Sequence, residues 1–187
     1  MNETASEMDR SASDSSRKPG WTIIQHRVFD YSPSFAKNSW EDYKVGFGAP
    51  FLMSSEYWMG LEEMHRITST GRWKLLMSFQ YKNGEYAWMI FNDFKIGGEG
   101  TGYKLHLGAL REVFNMKRNY HEMREFCNGK KFSTIDHGKK DCAKGRQGGW
   151  WFYDCAYYCA NCMIGVNQDA ENKKIAIQEI NMAITDI

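Results

Sequence analysis

Two cysteines thirteen positions apart, Cys142 and Cys155, enclose a short basic loop that leads into Gly148-Gly149 and the doublet Trp150-Trp151. No other stretch restricts the fold as much. A cystine closing a loop of that size removes about 3 kcal/mol of unfolded-state entropy on the chain-entropy account. Two adjacent indoles supply the apolar area on which such a loop packs. The segment KKFSTIDHGKKDCAKGRQGGWWFYDC, residues 130–155, is therefore read as the organising centre of the chain, with a Cys142–Cys155 disulfide. The competing reading is a pair of reduced, buried cysteines in a cytosolic protein.

Length and composition bound the rest. A chain of 187 residues is long enough for one domain with a substantial core and short for two. Seven Trp and ten Tyr, many in polar contexts, suggest rings used as packing anchors or at an interface. The formal charge of +1 gives no global field for nucleic acid. No apolar run approaches a membrane span. Residues 1–19 are rich in Ser, Asp and Glu and are expected to be disordered, leaving 20–187 as the folded domain. They contain no apolar core of a signal peptide. Asn2-Glu3-Thr4 is a glycosylation sequon that matters only on the secretory path. Five cysteines leave one unpaired or joined to another chain.

Periodicity predicts an α+β domain, an antiparallel sheet flanked by short helices. Trp21–Val28 interleaves β-branched and polar residues as a strand. Ser39 caps a helix through Lys44, with Asp42 completing a capping box and Gly46 and Gly48 ending it. Ser54 or Ser55 opens a second helix to Ile67, with Leu61, Met64 and Ile67 on one face and His65 on its surface. Arg72–Tyr81 and Glu85–Phe94 flank Asn83-Gly84, a strong hairpin signal. Tyr103–Leu107 and Lys174–Ile184 read as further strands, the latter turning Ile175, Ile177 and Ile180 inward. Ala109–Glu125 reads as a charged, solvated stretch compatible with helix. No nucleophile elbow, phosphate loop or histidine–carboxylate motif is present, so no catalysis is expected.

Six runs, in order, carry a family resemblance: GWTIIQHR (20–27), NSWEDYKVGFG (38–48), EYWMGLEEMHRIT (56–68), FNDFKIGGEGTGYKLHLG (91–108), NGKKFSTID (128–136), and DCA with GGWWFYDC (141–155). From Gly20 to about Ile184 the chain resembles the fibrinogen C-terminal (fibrinogen-related) domain family. The resemblance implies a secreted, disulfide-bonded, non-enzymatic recognition module. Its relatives include glycan-binding lectins of innate immunity, adhesive proteins and growth-factor-like ligands. Expected partners are a glycan or an acidic extracellular protein surface, with neither nucleic acid nor membrane insertion. Homo-oligomers would form through an upstream region or the odd cysteine. The family cysteine just before Gly-Trp-Thr is missing here, as is the Gly-Asn-Ala-Gly-Asp-like run where ALREVFNMKRNYHEMRE stands.

The resemblance places a calcium loop after Phe-Ser-Thr-x-Asp. Calcium takes six to eight oxygen ligands. The run here is Asp136-His137-Gly138-Lys139-Lys140-Asp141-Cys142, about four residues shorter, with Gly138 and Lys140 where the chief ligand carboxylates belong. The expectation is no calcium and no other cofactor, with Asp136 in a turn and Asp141 as a capping residue. Six cations, Lys130, Lys131, Lys139, Lys140, Lys144 and Arg146, face two acids in this stretch. They suit sulfated or carboxylated glycan, or acidic protein.

The family pocket beside this loop uses a cis peptide before the second cysteine and a histidine after it. Here the bond is Asp154–Cys155 and the next residue is Ala156, so a trans bond and a weakened acetyl-group pocket are expected. The candidate ligand surface is Lys139, Lys140, Lys144 and Arg146 together with Trp150, Trp151, Tyr153, Asp154, Tyr157 and Tyr158. For the remaining cysteines, the reading is a bridge from Cys127 to Cys159 or Cys162. Zinc on Cys159-x-x-Cys162 and free thiols are the alternatives.

Overall fold

The computed structural model describes residues 20–29, 35–50, 56–116, 123–155, 159–162, 167–168, 174–175 and 177–187. The expected disordered segment 1–19 lies outside them, as do Ser54, Ser55, Ala156, Tyr157 and Tyr158.

The first strand, β1, spans Thr22–Val28. Helix α1 (Trp40–Val45) opens with the expected capping box: Ser39 Oγ accepts from the Asp42 N–H at 3.2 Å, and the Asp42 carboxylate accepts from the Ser39 N–H at 2.8 Å. Strands β2 (Phe47–Gly48) and β3 (Tyr57–Trp58) follow. The second helix, α2 (Leu61–Thr68), begins well after the expected serine boundary. Tyr57 and Trp58 pair instead with His26 and Gln25, and burial of the whole Trp58 ring outweighs helix propensity there. Leu61 and Met64 point into the core and Ile67 is half-buried. His65 is more than a surface residue, since its Nδ1 lies 2.8 Å from the Ile96 carbonyl oxygen.

Strands β4 (Trp73–Tyr81) and β5 (Tyr86–Phe91) form the hairpin around Asn83-Gly84, where Asn83 Oδ1 accepts from the Glu85 N–H. Leu75, Met77, Phe79 and Tyr81 share the buried face, and Leu76 takes the other. A two-stranded hairpin of β6 (Lys95–Ile96) and β7 (Leu105–His106) is shorter than the Tyr103–Leu107 strand expected. Next comes β8 (Leu110–Phe114), where the helix-compatible reading fails, although a π-helical turn does form at Met123–Cys127. The stretch pairs antiparallel with β5, Phe91 opposite Leu110, and Phe114 stacks on Trp88 at 5.9 Å between centroids. Cross-strand pairing overrides a sequence with no strong local preference.

Helix α3 (Lys140–Arg146), β9 (Asn167–Gln168), β10 (Lys174–Ile175) and β11 (Ile177–Asp186) complete the chain. The expected single last strand is thus divided: β10 pairs with β9, and β11 enters the main sheet. Ile180 is fully buried, Ile177 is only half-buried, and the Ile175 side chain lies outside the described set.

The main sheet has seven strands in the order β2-β3-β1-β11-β4-β5-β8, with antiparallel pairing throughout. One hydrophobic cluster runs from its inner face, through Ile24, Leu75, Met77 and Ile184, to an aromatic mass containing Tyr43, Trp58, Phe132, Trp150 and Trp151. That mass carries the loop segment from which the basic face is built.

Candidate functional site

Trp150 and Trp151 anchor the site from beneath. Their rings meet edge to face at 5.0 Å, and Trp151 lies edge-on to Phe132 at 4.9 Å. Trp150 forms an isolated antiparallel bridge with Ser133, so the loop base is closed by paired backbone hydrogen bonds. Gly149 must be a glycine: a Cβ there would fall 2.8 Å from the Tyr43 ring and 2.9 Å from Phe132. Its N–H donates to the Tyr43 hydroxyl at 2.8 Å, and that hydroxyl donates to the Phe35 carbonyl. Burial pushes the Tyr43 phenol far above its ordinary range and keeps that donor in place.

Both indoles are fully buried. Trp150 and Trp151 therefore do not belong to the ligand surface on which the sequence reading placed them. An aromatic doublet reads the same whether it faces solvent or core, and the glycines before it let the chain turn both rings inward.

The bridge itself forms, with Cys142 and Cys155 joined and their Cα atoms 4.6 Å apart. Around it a cleft of 460 Å³ opens, lined by Lys139, Lys140, Lys144 and Asp141 beside the two half-cystines. Arg146 is half-buried and engaged with other groups, so it contributes charge to the face but not to the cleft. Tyr153 is half-exposed, packs on Phe126 at 5.6 Å and carries the Lys130 ammonium 4.8 Å above its ring. Asp154 is exposed. No cis peptide occurs among the described residues, so Asp154–Cys155 is trans.

In the loop that the family resemblance assigns to calcium, several oxygens are already engaged within the chain. Asp136 Oδ1 already accepts from the Trp40 N–H at 2.8 Å and from the Thr134 hydroxyl at 2.6 Å. Burial alone would raise the Asp136 pKa, but these donors outweigh it and hold the carboxyl below its ordinary value. The Lys139 ammonium donates to the Tyr153 carbonyl across the loop. A cation thus already stands at a backbone oxygen that could otherwise serve as a ligand. Among the described residues, no three His, Cys, Asp or Glu side chains cluster as a metal site would require.

Asp136 proves to be more than a turn residue: it caps α1 from ninety-six positions away, a contact no local signal reveals. Asp141 is not the cap of α3. It sits within the first turn, and Lys139 occupies the cap position with no side-chain capping bond. Sequence reasoning also missed His137, whose ring lies 3.9 Å from that of Trp40.

The remaining cysteines differ from expectation. Cys159 pairs with Cys162, and Cys127 is a buried thiol outside both disulfides. The Trp150 indole N–H points at Cys127 Sγ at 3.4 Å, fixing it in the core away from that tight turn. At 2 % exposure the Cys127 sulfur is shielded from a second chain in this fold. Burial pushes its thiol up to about 12, against the opposing effects of the Trp150 N–H and Lys130. Native protein at pH 8 is therefore expected to leave Cys127 unlabelled by iodoacetamide, with full labelling in urea, both read by mass spectrometry. The stability gained from the neutral thiol is complete below the unfolded value of about 8.5 and is lost as pH rises toward about 12.

A sequence profile described as "Fibrinogen beta and gamma chains, C-terminal globular domain" matches residues 8–181. The chain belongs to the fibrinogen C-terminal domain family. It is 37 % identical over 142 residues to angiopoietin-related protein 6 of Mus musculus, covering 74 % of this chain and 29 % of that protein. It is 32 % identical over 140 residues to tenascin-R of Gallus gallus, covering 73 % of this chain and 10 % of that one. Among solved structures it matches the fibrinogen-like globe domain of human ANGPTL6 with a TM-score of 0.71 and 28 % identity, over 90 % of this chain and 78 % of that one. The chain thus spans under a third of these curated relatives' own length. The chain has the fibrinogen-like globe fold, an antiparallel sheet with few helices, and carries two bridges in its C-terminal region.

Proposed function

We propose that this fibrinogen C-terminal domain is a non-enzymatic extracellular recognition module that binds an acidic protein partner through the basic face beside the Cys142–Cys155 bridge, without calcium. The observation that carries the reading is the cleft itself: Lys139, Lys140 and Lys144 surround it against the single carboxylate of Asp141. Such a face steers acidic partners by screened Coulomb attraction and loses strength with salt. Two disulfides support an oxidising compartment. Among the described residues no helix is long and apolar enough to cross a membrane. The relatives named angiopoietin-related proteins support a protein ligand over a sugar. An acetyl-reading pocket has less support, because the ion loop carries ammonium groups and Ala156 stands in the histidine position.

A panel of extracellular receptor ectodomains, probed with the whole chain, tests this. Binding is expected to survive EDTA and to weaken about tenfold or more when Lys139, Lys140 and Lys144 are replaced together by alanine. The melting temperature is expected not to move on adding calcium. Binding abolished by chelator, or unchanged in the triple variant, would overturn the proposal.

A further inference from the structure

We propose that a second cleft, between the β6–β7 hairpin and the segment Asn128–Lys131, binds a sulfated glycan segment. It is an open cleft of 590 Å³ and shares no lining residue with the Lys139 cleft. Volumes of about 300–1,000 Å³ accommodate small-molecule ligands, so there is room for more than an isolated inorganic anion.

Three ammonium groups enter from separate parts of the backbone: Lys95 from β6, Lys104 from the turn before β7, and Lys131 from the facing segment. His106 stands opposite Lys95 in the hairpin register, which places both side chains on one face. The lining contains no Asp or Glu, and none of the three lysines has an ion-pair partner among the described residues. The nearby acid, Glu99, is engaged elsewhere: its carboxylate holds Lys44 at 2.9 Å and the Trp40 indole at 3.3 Å. Like charges gathered without a counter-charge are relieved by an anionic ligand.

The walls are fixed before any ligand arrives. Backbone bonds stitch the two segments together, Leu105 N–H to Lys130 O at 3.0 Å, Gly129 N–H to Leu105 O at 2.8 Å and Phe132 N–H to Gly102 O at 2.9 Å. The Lys131 stem lies over Gly102, where a Cβ would meet its methylenes at 3.1–3.2 Å. Preorganised walls of this kind reduce the ordering cost of binding.

Ligand class follows from what lines the cleft. It holds lysines and no arginine, so its cations act as compact point charges. Point charges suit a sulfate, whose charge is spread over its oxygens. The Asn128 carbonyl oxygen is occupied by the Leu107 N–H at 2.8 Å, which leaves the amide NH₂ as the end that can donate to a sugar hydroxyl. No Phe, Tyr or Trp ring lines the cleft to stack a neutral sugar, so charge must supply most of the affinity.

Titration calorimetry of the whole chain with a heparin-derived sulfated hexasaccharide provides the test. Replacing Lys95, Lys104 and Lys131 together by alanine is expected to weaken binding about thirtyfold with an unchanged melting temperature. The pair Lys139→Ala and Lys144→Ala is expected to keep affinity within about twofold, which separates this site from the protein-binding face. The desulfated hexasaccharide is expected not to bind. Equal binding by the triple variant, equal binding of the desulfated chain, or tighter binding of a polyglutamate peptide of the same charge would each overturn the assignment. The last result would give the cleft to an acidic protein.

Discussion

Replacing Trp151 by alanine is expected to lower the unfolding free energy by about 3–5 kcal/mol, the range for deleting a large buried ring. The ring is wholly buried and meets Phe132 at 4.9 Å, Trp150 at 5.0 Å and Trp58 at 6.3 Å. Edge-to-face contacts of this kind add about 0.5–1.5 kcal/mol beyond area burial. Its N–H donates to the Tyr103 carbonyl at 2.7 Å, so truncation also strands a buried acceptor. Trp151→Phe restores much of the volume and none of that hydrogen bond. It is expected to fall between parent and alanine variant in a urea titration. A loss under about 1 kcal/mol for the alanine variant would show that the aromatic mass does not hold the loop.

Loss of the Cys142–Cys155 bridge is the second large effect. The double variant Cys142→Ser, Cys155→Ser is expected to lose about 3 kcal/mol, seen as an earlier urea midpoint with little change in slope. The consequence reaches function, because both half-cystines line the basic cleft. Freed ends let Lys139 and Tyr153 separate, so affinity at that face should fall together with stability. Removing the Cys159–Cys162 bridge, which closes only three positions, is expected to cost less on the same loop-entropy argument. The reverse ranking would place the organising constraint at the wrong pair.

Legibility in the sequence followed the range of the forces. The capping box of α1, the Asn83-Gly84 hairpin and the thirteen-position bridge are signalled within a few residues and stand where the sequence reading placed them. The start of α2 was misplaced because Trp58 is captured by a strand partner and a core that local pattern does not encode. Strand β8 escaped for the same reason, since among the described residues its strand partner is β5, distant in sequence. At the site, lysine spacing exposed the Lys139–Lys144 cleft, which one loop and one helix make. The Lys95–Lys104–Lys131 cleft was hidden, because it exists only after distant segments are joined through backbone bonds. The indole doublet was legible as important and illegible as to direction. Cys127 was drawn to Trp150, not to a second sulfur.

The placement of β11 between β1 and β4 governs how the domain can be assembled. Without residues 177–186 the sheet order falls into two unjoined halves: one grouping β1 to β3, the other β4, β5 and β8. Each half then presents a bare edge, the kind of surface that invites mispairing between nascent chains. The keystone is thus added late, and a chaperone has its longest opportunity to act just before that insertion.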